Sequence, residues 1–157
     1  MSKVTRATKA LSDAGVAFTV HSYDYDPSAS RIGLQAAEAM SEDPARVLKT
    51  LMARLDGKPV CVIVPSDAEV SMKKLAAAMH GKSADMMKPA DAERISGYKT
   101  GGISPFGLMR KIPALIEEKA LGHELVYVNG GQRGLQVRLK PQDLVSALQA
   151  LVAPLVA

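Results

Sequence analysis

The segment from residue 47 to residue 64 constrains the fold of this chain more than any other. It contains Asp56-Gly57, a dipeptide typical of two-residue β-hairpin turns, and then the apolar run Val-Cys-Val-Ile-Val at 60–64. Such a short apolar run predicts a buried strand. The preceding stretch, 47–55, fits a strand or a helix, and the turn favours the strand of a hairpin. As a strand it places Lys49 on an otherwise apolar face, whereas as a helix it points Lys49 to solvent.

The rest of the chain alternates between helical and strand-like patterns. Apolar residues at helical spacing predict helices near 3–14, 71–79, 89–95 and 141–151. Alternating and β-branched residues predict strands near 17–23, 84–87, 124–128 and 135–139, while 112–120 fits a helix or a strand. We find no repeat and no linker, so we expect a single α+β domain over residues 1–157 with a mixed or antiparallel sheet.

Composition excludes several classes of protein. The single cysteine, Cys61, excludes an internal disulfide and a cysteine-based zinc site. The first residues lack the apolar core of a secretory signal, and no apolar run reaches the roughly 18 residues of a membrane span. We therefore expect a cytoplasmic protein without membrane contact. Four Tyr, two Phe and no Trp are too few for a surface that stacks rows of nucleic-acid bases.

Charge and glycine are both distributed unevenly. Residues 71–157 carry 12 Lys and Arg against 7 Asp and Glu, whereas residues 1–70 carry 8 against 9. This basic half is consistent with binding a polyanion such as RNA, and equally with an ordinary solvated surface. Eight of the twelve glycines lie between Gly97 and Gly134, which is the first indication of a site.

Three features are candidates for chemistry. Lys49 on the inner face of a strand would need an anion, a carbonyl or water at its ammonium group, unless it reaches solvent. The loop Gly101-Gly102-Ile103-Ser104-Pro105 allows the backbone to approach a ligand closely, and it is equally consistent with a plain structural loop. The turn at 129–134 (Asn-Gly-Gly-Gln-Arg-Gly) fits a hairpin connection, although its Arg133 could contact a carboxylate or a phosphate.

The usual nucleophile and metal systems are missing from the sequence. Cys61 lies within the apolar run and is expected to be a buried thiol. His21, His80 and His123 lack metal-ligand spacing, and there is no Gly-x-Ser-x-Gly motif. We therefore expect no metal and no cofactor.

Seven short motifs in collinear order carry a resemblance to a known family. The chain resembles the YbaK/EbsC family, the free-standing relatives of the editing domain of bacterial prolyl-tRNA synthetase. The motifs are His21-Ser-Tyr23-Asp, Val47-Leu-Lys49-Thr-Leu51, Met72-Lys-Lys-Leu75, Ser96-Gly-Tyr98, Gly101-Gly-Ile-Ser-Pro105, Tyr127-Val-Asn-Gly-Gly-Gln-Arg-Gly-Leu135 and Pro141-Gln-Asp-Leu144.

The resemblance implies an α+β domain with a compact, barrel-like mixed sheet flanked by helices, and a strand at 47–55. It implies hydrolysis of mischarged aminoacyl-tRNA, foremost Cys-tRNA(Pro) and also Cys-tRNA(Cys), without a cofactor. The expected partners are aminoacyl-tRNA and prolyl-tRNA synthetase, and the expected state is a monomer. In cysteine-specific members the substrate's own thiol is thought to attack the ester, which would explain a site without a protein nucleophile.

Carried over by position, Lys49 matches the lysine of the family's active site and Tyr23 its pocket tyrosine. The first glycine loop contributes Gly101, Gly102, Ile103 and Ser104 to the same pocket. The second contributes Asn129, Gly130, Gly131 and Arg133.

The sequence departs from the common family pattern near the second loop. Asn129 replaces a frequent Ser, Gln132 a frequent Lys and Gln136 a frequent acid. A carboxylate can form an ion pair with the α-ammonium group of a substrate, whereas an amide can only accept a neutral-type hydrogen bond. Three alternatives therefore stay open: editing of another small residue such as Ala or Ser, a non-catalytic module that binds tRNA ends, and a nucleotide-binding protein.

Overall fold

The computed structural model describes residues 4–28 and 32–157. Within these ranges lie five α-helices, α1 (Arg6–Asp13), α2 (Ile32–Ala39), α3 (Met72–Ala78), α4 (Pro89–Ser96) and α5 (Pro141–Leu148). Eight strands accompany them: β1 (Thr19–Ser22), β2 (Leu48–Leu55), β3 (Lys58–Pro65), β4 (Ala84–Met86), β5 (Ala114–Glu117), β6 (Val126–Asn129), β7 (Leu135–Leu139) and β8 (Leu151–Ala153). The predicted α+β class is confirmed.

The predicted hairpin is present, and the strand reading of 47–55 is correct. β2 and β3 pair antiparallel from Leu48 opposite Pro65 to Leu55 opposite Lys58. Asp56 and Gly57 both have positive φ, +50° and +82°, as a type I′ turn requires. The turn therefore sets a register in which Lys49 lies opposite Val64, near the end of β2 that is farthest from the turn.

The strands form two sheets rather than one continuous sheet. The larger has the order β4-β2-β3-β5-β8 and is mixed, because β5 runs parallel to both β3 and β8. The smaller has the order β1-β7-β6 and is antiparallel. A parallel bridge between Val47 and Tyr127 links the two sheets at the start of β2.

β3 is buried on both faces and separates two apolar clusters. Cys61 and Ile63 face a cluster that includes Leu11 of α1. Val60, Val62 and Val64 face the other, with Leu75 of α3, Leu115 and Leu155. Because successive side chains of a strand point to opposite faces, the uninterrupted apolar run of β3 fills both clusters.

The C-terminal segment differs from the sequence prediction. We predicted that Leu151 would continue the buried stripe of the last helix, but that helix ends at Leu148 and Gln149 takes a left-handed conformation with φ of +52°. Leu151 instead begins β8 and is 43% exposed. The strand forms because β5 offers an edge with which it can pair.

No helix within residues 4–28 and 32–157 is long and apolar enough to cross a membrane.

Candidate functional site

A cavity of about 260 Å³ lies where the start of β2 meets both glycine loops. Five of the predicted site residues line it: Tyr23, Lys49, Gly101, Ile103 and Asn129. Apolar side chains of β2, of the end of β4, of the segment that follows it and of α4 form much of the remaining wall: Leu48, Met52, Met86, Met87, Pro89 and Ala92. Residues that are far apart in sequence therefore meet at one concave, mainly apolar site, as ligand sites commonly do.

Lys49 reaches this cavity because β2 is a strand. Its side chain is half-buried, and its neighbours Leu48 and Thr50 are buried. The lysine is the only charged residue among the described residues that line the cavity. A single cation in a mainly apolar pocket suits a ligand that carries or develops negative charge.

The Asn129 side chain joins the two glycine loops. Its Nδ2 donates to the carbonyl of Gly101 at 3.2 Å, and its Oδ1 accepts from the backbone N–H groups of Gly131 at 2.7 Å and Gln132 at 3.1 Å. One buried side chain thus holds the cavity wall in place with three hydrogen bonds.

The first glycine loop passes too close to its neighbours for a larger residue. Gly101 has φ of +87°, and a Cβ there would lie 2.6 Å from the hydroxyl oxygen of Tyr25. A Cβ at Gly102 would lie 2.8 Å from the backbone nitrogen of Arg133. These two glycines therefore let the loops pack against each other.

The backbone amides of these loops are largely occupied. The N–H of Gly102 donates to the carbonyl of Lys99 at 2.8 Å. Those of Gly131 and Gln132 donate to Asn129, as described above. The sequence predicted that these glycines let the backbone approach and contact a ligand. Since the Gly102 amide closes a turn, the positive charge of Lys49 becomes the main candidate for that contact.

Tyr23 is positioned by Gly134, the residue that precedes β7. Its backbone N–H donates to the carbonyl of Gly134 at 2.9 Å. Burial raises the pKa of the Tyr23 hydroxyl above its usual value, although hydrogen bonds from Gly134 and Gln136 act in the opposite direction. The hydroxyl is therefore neutral near pH 7 and keeps its proton for a hydrogen bond.

Two further residues of the cavity wall, Thr50 and Gln136, carry buried oxygens that were not predicted as site atoms from the sequence. Thr50 Oγ1 and Gln136 Oε1 are buried and have no hydrogen-bond partner in the structure. Unsatisfied buried oxygens are costly, so they commonly mark the place of a bound polar group. The sequence offered a partial signal, since Thr50 follows Lys49 in the motif and Gln136 was noted as a departure from the family pattern.

The other predicted site residues lie away from this cavity. Gly102, Gly131 and Arg133 line a second, neighbouring groove. Ser104 is fully buried, and its Oγ accepts the N–H of Phe106 at 3.1 Å. Gly130 is also buried, and its N–H donates to the carbonyl of Leu135 at 2.8 Å. Neither Ser104 nor Gly130 lines the cavity or the groove, because hydrogen bonds within the loops hold both.

Comparison with known proteins shows the family. The model of the aminoacyl-tRNA editing domain matches residues 26–147. The chain belongs to the aminoacyl-tRNA editing domain family. The resemblance to the YbaK/EbsC proteins is thereby confirmed.

Similarity to individual proteins supports the same family assignment. EbsC of Enterococcus faecalis, a candidate Cys-tRNA(Pro)/Cys-tRNA(Cys) deacylase, is 32% identical over 112 residues, which cover 70% of this chain and 68% of EbsC. The uncharacterized protein YwhH of Bacillus subtilis is 30% identical over 111 residues, 70% of each chain. The crystal structure of a candidate trans-editing enzyme for prolyl-tRNA synthetase is 22% identical and superposes with a TM-score of 0.82, covering 100% of this chain and 98% of the other. At that identity the likeness concerns the fold.

The described wall of this cavity lacks the usual pairing of a nucleophile with a general base. Among the described residues that line it there is no Cys, His, Asp or Glu. Cys61 is fully buried in the sheet, and burial raises the pKa of its thiol to about 12. Because the described wall has no such base beside Thr50 or Tyr23 to activate a hydroxyl, we expect attack by water or by a group of the substrate itself.

Proposed function

We propose that this editing domain hydrolyses the ester between an amino acid and the 3′-terminal adenosine of a mischarged tRNA, with Cys-tRNA(Pro) as its main substrate and Cys-tRNA(Cys) as a second. The observation that carries the proposal is the cavity that combines Lys49 with two unpartnered buried oxygens, Thr50 Oγ1 and Gln136 Oε1. The name of the relative EbsC supports the same substrates.

An aminoacyl ester is already activated, so the site needs positioning and charge stabilisation more than acid–base groups. Lys49 stabilises the negative charge that develops on the carbonyl oxygen, or contacts the terminal phosphate. Thr50 and Gln136 accept hydrogen bonds from the amino group or the side chain of the substrate, and Tyr23 donates one from its neutral hydroxyl.

The substrate itself supplies the nucleophile when its side chain is a thiol. The cysteinyl sulfur attacks the ester carbonyl, a cyclic thiolactone forms, and the C–O bond to the ribose breaks. The thiol proton passes to the departing 3′ oxygen. With other amino acids, water attacks the same carbonyl and the free amino acid leaves.

The cellular setting follows from the substrate. The domain, which we take to comprise residues 1–157, acts in the cytoplasm on the pool of charged tRNA. Prolyl-tRNA synthetase is its proposed partner, because a pocket that contacts only the ester end reads little of the tRNA identity.

Ester loss from four substrates tests the proposal: Cys-, Ala- and Ser-tRNA(Pro), and Cys-tRNA(Cys). Faster hydrolysis of both cysteinyl esters is the expected result. Preference for Ala or Ser would assign a different small residue, and hydrolysis of none would favour a tRNA-binding module or a nucleotide-binding protein.

A matched pair of variants tests the role of Lys49. Removal of one transition-state donor commonly lowers turnover by about 10²- to 10³-fold, and we expect Lys49→Ala to lose activity in that range. Lys58→Ala removes the same charge at the turn end of the same hairpin and should keep full activity. Near-wild-type rates for Lys49→Ala would contradict the assignment.

A further inference from the structure

A groove of about 450 Å³ lies beside the cavity, across the same two loops. Thr100 and Gly101 line the cavity, whereas Lys99 and Gly102 line the groove. Asn129 likewise faces the cavity, and the residues that follow it at 131–133 face the groove. One turn of each loop thus separates the two sites, so a ligand anchored in the cavity can continue into the groove.

The groove is positively charged. Arg6, Lys99 and Arg133 line it, and the described residues of its wall include no carboxylate. The nearby carboxylate is Glu93, whose Oε2 accepts the N–H of Thr100 at 2.8 Å, and Lys99 and Arg133 are close enough to help lower its pKa. One acid beside three cations leaves an excess of positive charge along the groove.

Two of these cations are held in place by the fold. The guanidinium of Arg6 donates to the carbonyls of Gly97 and Gly107, both at 3.1 Å, and lies 4.5 Å above the Tyr98 ring. Nε of Arg133 donates to the carbonyl of Thr100 at 2.8 Å, and its guanidinium lies 5.1 Å from the Tyr25 ring centre. Cations fixed in this way bind an anion with little loss of side-chain entropy. Lys99, by contrast, is exposed.

We propose that this groove binds the phosphodiester backbone of the single-stranded nucleotides that precede the terminal adenosine of the tRNA. The inference rests on the proposed function, because an ester seated in the cavity places the preceding phosphates next to it. Phosphates suit Arg and Lys, and counterion release makes such binding favourable and dependent on salt. The groove gives affinity for any RNA 3′ end, while the cavity selects the amino acid.

Charge changes at the groove test this proposal. Lys99→Glu reverses a charge there, Gln132→Lys adds one, and Lys58→Glu is the control at the hairpin turn. Lys58 is six residues along β3 from Val64, the partner of Lys49, and so about 20 Å from the site. The readout is the ratio of kcat/KM for aminoacyl-tRNA to kcat/KM for aminoacyl-adenosine, which lacks the preceding phosphates.

We expect Lys99→Glu to lower this ratio about tenfold, Gln132→Lys to raise it about threefold, and Lys58→Glu to leave it unchanged. The salt dependence gives a second measure. Loss of one phosphate contact in Lys99→Ala should reduce the slope of log kcat/KM against log salt by about 0.7, the value for single strands. An unchanged ratio and an unchanged slope would overturn the groove assignment while leaving the proposed function intact.

Binding of uncharged tRNA separates the two proposals. If the wild-type protein hydrolyses neither ester, the proposed function fails, and the groove is then judged by RNA binding alone. Weaker and less salt-dependent binding by Lys99→Glu than by Lys58→Glu would support the groove. Equal binding by the two variants would refute it.

Discussion

Asn129 donates a hydrogen bond to the carbonyl of Gly101 across 28 positions of sequence, and this contact holds the two glycine loops together. The same side chain accepts from the N–H groups of Gly131 and Gln132. One residue therefore determines the spacing between the wall of the cavity and the wall of the groove.

Substitutions at Asn129 should separate its accepting role from its donating role. Asn129→Ala removes all three hydrogen bonds and leaves partly buried backbone groups unpaired, which costs about 1–3 kcal/mol of unfolding free energy. Asn129→Asp keeps the acceptor but places a carboxylate against the Gly101 carbonyl, so we expect a smaller loss of stability and a clear loss of turnover. Chemical denaturation and deacylation rates measure the two effects. A stable, active Asn129→Ala protein would show that the contact holds nothing in place.

We expect the unpartnered oxygens of Thr50 and Gln136 to lower the stability of the fold and to contribute to substrate binding. Thr50→Val removes a buried polar group while roughly keeping its volume, so we expect unfolding free energy to stay level or rise by about 1 kcal/mol. Gln136→Leu also removes the hydrogen bond from Gln136 to Tyr23, so we expect its gain to be smaller. Turnover of the cysteinyl ester should fall about tenfold or more, because the substrate loses its acceptor. Thermal unfolding and deacylation are measured on the same samples.

The opposite signs of these two effects exclude a merely structural role. A residue that only supports the fold would lose stability and activity together. If both variants were less stable and kept full activity per folded molecule, Thr50 and Gln136 would have no part in binding.

Gly102 offers a test of how closely the loops must pack. In Gly102→Ala the new Cβ would meet the Arg133 backbone nitrogen at 2.8 Å, so the loops must move apart. We expect a loss of stability of about 1–3 kcal/mol and a strong loss of activity. Gly122→Ala is the control, since a Cβ at Gly122 has no atom within 4 Å and φ there is not positive. Equal behaviour of the two variants would show that the loops tolerate the displacement.

Glu117 is a buried carboxylate that ties the C-terminal segment to β5. It accepts the N–H groups of Leu155 at 2.7 Å, Val156 at 3.1 Å and Lys119 at 2.9 Å. Burial opposes ionisation of Glu117, but these hydrogen bonds outweigh it and hold its pKa below the usual 4.5. A lowered folded pKa means that the stabilisation is full above the unfolded pKa and is lost as pH falls through the folded pKa.

We therefore expect Glu117→Gln to be about 1–3 kcal/mol less stable than the wild type at pH 7. The difference should shrink as the pH is lowered below 4.5, where the wild-type carboxylate becomes protonated. Denaturant unfolding between pH 3 and pH 7, about the range in which carboxyl groups titrate, measures it. Glu118→Gln, at the exposed neighbouring position, should follow the wild-type profile, and a constant difference across the range would contradict the account.

Much of the local structure could be predicted because its causes are local. The Asp56-Gly57 turn and the apolar run after it identify a hairpin without reference to the rest of the chain, and the structure confirms it. The same kind of reasoning failed at Leu151. Helical spacing continues past Leu148, but pairing with β5 draws the segment into a strand. Pairing with the neighbouring strand β5 therefore outweighs the helix propensity of this segment.

The candidate site was predictable only in part. Lys49, Tyr23 and the glycine loops could be singled out as residue types and by resemblance, and the cavity brings several of them together. Ser104 was also predicted as a site residue from the sequence, but its hydroxyl oxygen accepts a backbone N–H within its own loop. A hydroxyl's partner is decided by the path of the chain around it, which the residue type does not reveal.

The sequence by itself determined the family, the hairpin and the identity of the cation at the site, because motifs, turn types and periodicity depend only on residues that are close together in the chain. Only the tertiary structure decided that Asn129 joins the loops, that Thr50 and Gln136 beside the cavity carry unpaired buried oxygens, and that Arg6, Lys99 and Arg133 share one groove. Each of these depends on distances between residues that are remote in sequence, and such distances exist only after the two sheets and their connecting loops have packed together.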